Sequence, residues 1–188
     1  MWKITILLAL LSAVRAANIN DIYGKYTMVM VFSNPVPEER NGPTMCLTLA
    51  LSEDQRNSKC SCADGNDCTL VELKAVERIP IMMSGPGSVS TPMLAVDKTK
   101  DARSLRNITC HCVDKDSNRN IVKKIHDNYI LISDDLSNLT EEREVLLAKT
   151  LPSNAELEHD ITLIDEVKSK RGFKMCTREI REQFLSQH

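Results

Sequence analysis

Seven cysteines carry most of the reactive potential of this 188-residue chain: Cys46, Cys60, Cys62, Cys68, Cys110, Cys112 and Cys176. Two groups repeat one pattern, Cys60-Ser61-Cys62 and Cys110-His111-Cys112. On a β-strand, alternation sets both cysteines of such a triplet on one face and the middle residue on the other. Three chemistries are open to the set. The first is structural disulfides joining Cys60, Cys62 or Cys68 to Cys110 or Cys112. Seven is odd, so at least one thiol is left over or pairs outside the chain. The second makes that remaining thiol reactive, for a covalently held ligand or a bridge to another chain. The third is a thiolate metal site with His111, but His111 alternates away from its neighbours on a strand, so no metal is assigned.

The histidines add little chemistry. His111, His126, His159 and His188 lie in no nucleophile or zinc-protease pattern, so no catalytic residue and no cofactor is assigned and the chain is not expected to be an enzyme. Charge excludes another class. The basic Lys3, the apolar run Ile4 to Leu11 and the small residues Val14 and Ala16 have the layout of a signal peptide over 1–16, with Ala17 as a near alternative cut. That run is far shorter than the roughly 20 residues needed to span a bilayer, so no stable membrane insertion is expected. Removing Lys3 and Arg15 from the 24 basic residues leaves 22 against 26 acidic ones. Nothing there attracts a polyanion, and nucleic acid is not an expected partner. Secretion suits disulfides and the two sequons, at Asn107 and Asn138. A glycan on Asn107 would face solvent; in a regular strand Thr109 and His111 would share that face, with Cys110 and Cys112 inward.

The elements that must position these residues read as short strands followed by a helix, in one domain over 17–188. Strands are expected at Tyr26 to Phe32, Thr44 to Leu51, Ser58 to Ala63, Leu70 to Val76, Thr91 to Val96, Arg106 to Val113, Tyr129 to Ser133 and Val145 to Thr150. Between them lie the Pro/Gly-rich segments Ser33 to Pro43 and Ser84 to Pro92 and the turn Asp64-Gly65-Asn66-Asp67. Ser153 and Glu156 form a capping box, and Leu157, Ile161, Ile164 and Val167 make one apolar helical stripe. Gly172 is expected to take the left-handed helix stop. A shorter helix capped by Thr177 is expected after Cys176. Alternation places Met28, Met30 and Phe32 on one face with Tyr26, and offers Met45, Leu47, Leu49, Val71, Leu73, Val145 and Leu147 to the same interior.

Three local signatures resemble lipocalin motifs. Gly24-Lys25-Tyr26 stands where lipocalins carry Gly-x-Trp, Asp127-Asn128-Tyr129 resembles their Thr-Asp-Tyr-type segment, and Leu146 to Pro152 resembles the end of their eighth strand. Tyr26 replaces the family's tryptophan and Lys149 its arginine, a pair that packs at the closed end of the barrel and retains a weaker cation–π contact here. The chain is most similar to insect lipocalins of the bilin-binding type. The resemblance implies an all-β fold: an eight-stranded antiparallel up-and-down barrel with one C-terminal α-helix packed outside. It further implies a Cys46–Cys176 disulfide and structural roles for Gly24, Tyr26 and Lys149. The expected partner is a small hydrophobic molecule, held by the ten apolar residues just named. Because some lipocalins use an interior cysteine in isomerase chemistry, Cys110 or Cys112 keeps that activity open. A secreted interaction or inhibitor protein that uses the two Pro/Gly-rich loops is the alternative.

Overall fold

The structure, a computed structural model, describes residues 22–34, 45–53, 60–62, 68–79, 90–96, 110–112, 121–133 and 142–187, with side chains at all of these but 34, 62, 90–96, 110–112 and 142. The expected signal peptide, residues 35–43 and 84–89 of the two loops, and the sequons at Asn107 and Asn138 lie outside the described residues. The fold is mostly β and barrel-like, ending in helix. Its strands are β1 (Gly24–Asn34), β2 (Cys46–Glu53), β3 (Cys60–Cys62), β4 (Cys68–Ile79), β5 (Ser90–Val96), β6 (Cys110–Cys112), β7 (Ile121–Lys124), β8 (Tyr129–Ser133), β9 (Glu142–Ala148) and β10 (Gly172–Lys174), with helices α1 (Asn154–Leu163) and α2 (Arg178–Ser186).

The main sheet runs β10-β1-β2-β4-β5-β7-β8-β9, and β9 pairs back to β1. One edge of β1 serves β2 at Gly24 to Thr27 and β10 at Met30 to Phe32, while the other serves β9 from Thr27 to Asn34. The expected eight-stranded up-and-down order is therefore met in part. Two of the expected strands, β3 and β6, leave the sheet and pair with each other. Two that the sequence reading did not include, β7 and β10, join it. The loop of pairings then holds seven strands among the described residues. An odd number of strands cannot alternate direction all the way round, so one neighbouring pair must be parallel. That pair is β5–β7, in register Leu94↔Ile121 and Val96↔Lys123; the others are antiparallel.

Two apolar clusters occupy the two faces of this sheet. One takes Val29, Phe32, Leu70, Ile121, Tyr129, Leu131 and Leu146 together with Leu157, Ile164 and Val167 from α1 and the turn after it. This is the outer face, and the helix covers it. The cluster on the opposite, inner face is built from β1, β2, β4, β7, β8 and β9, closed by Ile22 and Met175.

Three polar contacts also tie the helical layer to the outer face. The Tyr129 hydroxyl donates to Asp160 Oδ2 at 2.6 Å, Lys123 Nζ meets Glu166 at 3.0 Å, and Lys170 pairs with the buried Glu144. Tyr129 and Lys123 come from β8 and β7, so a strand absent from the sequence reading carries one of the tethers.

α1 begins as expected. Glu156 N–H donates to Ser153 Oγ at 3.2 Å, and Ser153 N–H donates to Glu156 Oε2 at 2.7 Å. The second of these bonds, with the Arg178 guanidinium behind it, holds the Glu156 carboxyl below its ordinary pKa. Thr177 caps α2 by accepting from Ile180 N–H, and its hydroxyl donates to Asn154 Oδ1 at 3.1 Å. The two helix starts are thus stitched to each other.

The end of α1 differs from expectation. The helix stops at Leu163 with Ile164 extended, and the rest of the apolar stripe is carried by a turn in which Val167 N–H bonds Ile164 O. Gly172 is not a helix stop: it lies in β10 opposite Phe32. A Cβ there would overlap the Val31 carbonyl oxygen and lie 2.9 Å from Phe32 Cδ1. The glycine serves close backbone approach rather than a left-handed turn.

Candidate functional site

The inner-face cluster is the candidate site, and strand alternation assembles it. Leu47, Leu49 and Leu51 come from β2, Val71, Leu73 and Ala75 from β4, Ile130 and Ile132 from β8, and Val145 and Leu147 from β9. Cross-strand register stacks them: Met28 faces Leu147, Leu147 faces Ile130, and Val145 faces Ile132, which faces Val122. The same register brings charged residues to this face at its margins: Arg78 pairs with Leu47, Glu53 with Val71 and Lys124 with Ile130. Within the cluster Val122, Ile130 and Leu147 are buried, whereas Met28, Leu47, Leu73 and Ala75 are half-buried. Such a surface presents mainly apolar contact and a flexible thioether.

Of the ten residues expected in the interior, Met28, Leu47, Leu49, Val71, Leu73, Val145 and Leu147 belong to this cluster. Met30 and Phe32 do not; they pack with the outer cluster. The cause is a bulge. β1 pairs Met28 with Leu147 but Met30 with Leu146, so Val29 is an extra residue and the alternation inverts beyond it. Val31 takes the inward position instead. Met45 is half-buried just ahead of β2. Sequence alternation also missed Val122, Ile130, Ile132 and Met175. Ile130 and Ile132 sit in a run, Tyr129 to Ser133, that is buried on both faces, and such a run gives no alternation to read.

The motif residues gather at the start of β1. Gly24 has φ of 140°, a conformation that favours glycine. The Lys149 Cε lies 3.9 Å from where a Gly24 Cβ would stand, and Lys149 follows Ala148, the partner of Thr27. Tyr26 is buried in the inner cluster. Asn128 fastens the adjoining turn: its side-chain amide donates to Thr150 O at 2.9 Å, and its Oδ1 accepts from Thr150 N–H at 2.7 Å. Tyr129 beside it is fully buried, and burial, reinforced by its bond to Asp160, raises its hydroxyl pKa well above the usual value.

Cys46 and Cys176 form a disulfide, with Cα atoms 5.1 Å apart. It fastens the start of β2 to the segment after β10, where Met175 N–H also bonds Val29 O at 2.9 Å. Cys60 is disulfide-bonded as well, and Cys60 and Cys68 both pack against the outer cluster. β3 and β6 align Cys60 with Cys112 and Cys62 with Cys110. His126 and His159 are exposed: the first accepts at Nδ1 from Asn128 N–H, and the second lies on α1. Among the described residues no group of three or more His, Cys, Asp or Glu is placed to hold a metal ion. None of the described helices is long and apolar enough to cross a membrane. Comparison with protein-family models and with curated proteins finds no match to this chain.

Proposed function

We propose that this chain is a secreted carrier of a small hydrophobic molecule, built as a lipocalin-type barrel with the ligand held on the inner face. The observation that carries this reading is the apolar cluster on the inner face of a sheet whose pairings return to their start. Several of its side chains keep part of their surface available. Secretion and glycosylation at Asn107 and Asn138 belong to the same proposal, supported by the signal-like first 16 residues and by the disulfides. A pigment, retinoid, steroid or fatty acid would all find compatible walls.

The test is native mass spectrometry of the protein purified from eukaryotic culture medium, with titration by a fluorescent fatty-acid analogue. A bound lipophile is expected. Met28→Lys, which places a charge on the inner face, should weaken the analogue at least tenfold, about 1.4 kcal/mol. Leu163→Lys, at an exposed position on α1, should leave it unchanged. Protein that is empty and has no affinity for any lipophile overturns the proposal, and a co-purifying protein partner in its place would favour recognition through the loops.

A further inference from the structure

We infer that β3 and β6 are joined by two directly opposed cross-strand disulfides, Cys60–Cys112 and Cys62–Cys110. The observation is the register of the ribbon, which sets each cysteine of one triplet opposite a cysteine of the other. Ser61 and His111 face each other between them, so all four cysteines fall on one face of the ribbon. Residues directly opposite in an antiparallel pair have Cα atoms about 4.5 or 5.5 Å apart, depending on hydrogen-bonding position. Both values lie within the roughly 4.4–6.8 Å span of disulfides. Two residues along a strand restores the same kind of position, so geometry that admits one bridge admits the other.

Competing pairings fit less well. Cys60 with Cys62 would join residues about 6.8 Å apart with parallel side-chain directions, whereas a disulfide needs Cβ atoms roughly 3.5–4.5 Å apart. Diagonal pairs such as Cys62 with Cys112 start from about 7–8 Å. Cys60 is already disulfide-bonded, and Cys46 and Cys176 are committed to each other. A ribbon of three residue pairs, outside the main sheet, is too short to hold by backbone bonds alone. Covalent rungs explain how it persists, with Cys60 seated against the outer cluster. Each rung forms when two thiols lose two electrons and two protons to a disulfide-bearing protein oxidant, which is left as a dithiol.

The experiment is peptide mapping of the full chain, secreted from eukaryotic cells, digested with trypsin without reduction. Cleavage after Lys59, Lys74, Arg106 and Lys115 leaves peptides 60–74 and 107–115. They are expected to migrate as one linked species that separates on reduction. Fragmentation of that species should assign Cys60 to Cys112 and Cys62 to Cys110. In the double variant Cys60→Ser/Cys112→Ser the link should persist through the other rung. In Cys60→Ser/Cys110→Ser, Cys62 and Cys112 should be alkylated instead, with the Cys46–Cys176 bridge serving as the check on folding. A Cys60–Cys68 bridge within peptide 60–74, equal linkage in both double variants, or a bound zinc ion with the four cysteines as thiols would overturn the inference. If neither variant is secreted, the fragmentation assignment on the unaltered protein decides the matter.

Discussion

Replacing Gly172 with alanine should destabilise the chain through a strand crossing that leaves no room for a methyl group. In β10 the alanine Cβ would overlap the Val31 carbonyl oxygen and stand 2.9 Å from Phe32 Cδ1 and 3.0 Å from Phe32 Cα. Two of those three atoms are backbone, so rotating a side chain does not relieve the contact. β10 must lift from β1, loosening the Met30–Lys174 to Phe32–Gly172 ladder and the approach of Cys176 to Cys46. Overpacking of this kind costs about 1–3 kcal/mol, and the backbone origin places Gly172→Ala toward the upper end. For a chain of this size, each kcal/mol lowers Tm by about 2–4 °C, so a fall of roughly 5–10 °C is expected. Thermal unfolding followed by circular dichroism, with the Cys46–Cys176 bridge verified by mass spectrometry, measures it. Gly172→Asn separates the two accounts of this glycine. A left-handed helix stop tolerates asparagine better than alanine, whereas a close crossing makes asparagine no better. An unchanged or raised Tm in Gly172→Ala refutes the reasoning, because a merely flexible glycine would gain about 0.4–1 kcal/mol on that change.

Three other expectations concern the outer layer and the caps. Tyr129→Phe removes the hydrogen bond from the buried hydroxyl to the half-buried Asp160 and should cost about 1–2 kcal/mol; urea unfolding at neutral pH reads it. Because the folded pKa of Tyr129 is raised, the native state keeps its proton where the unfolded chain releases it, so stability should fall as pH rises above the ordinary tyrosine value of about 10. Denaturation midpoints between pH 9 and about 11 should decline less steeply in Tyr129→Phe. Ser153→Ala should lose about 1 kcal/mol from the capping box, seen as an earlier urea midpoint with unchanged slope. Cys46→Ser/Cys176→Ser opens a closure spanning 130 residues and should cost about 4–5 kcal/mol by loop entropy, measured by the same titration.

Much of this architecture was legible because local chemistry announces it. Ser153 and Glu156 mark the start of α1, Thr177 marks that of α2, and the alternation from Leu47 to Leu51 marks β2. What the sequence hid depends on partners far along the chain. β7 is four residues with two lysines, a poor strand by composition; it pairs with β5 and β8, buries Ile121 and Val122 on opposite faces of the sheet, and sends Lys123 to Glu166, 43 positions later. The Val29 bulge leaves no trace in hydrophobic pattern, so a regular count sends Met30 and Phe32 to the wrong face. The stripe through Ile164 and Val167 kept its apolar spacing after the helix had ended, because burial against the sheet, not helical periodicity, selects those residues. Gly172 is required by its neighbour in space, Val31, and nothing beside it in sequence says so.

The parallel pair has a consequence of its own. In the ring of seven strands each strand has a neighbour on both sides, leaving β10 as an edge paired only with β1, and few free edges protect a β protein from templating its own aggregation. That protection is only as good as its weakest seam. Leu94 to Val96 against Ile121 to Lys123 is three residues long and parallel, with slanted bonds that are slightly weaker per residue than antiparallel ones. Thermal opening should start there. It would turn the cyclic sheet into an open ribbon with two fresh edges at β5 and β7, one of them lined by Ile121 and Val122. Amide exchange along β7 is therefore a sensitive gauge of how close the folded molecule stands to self-association.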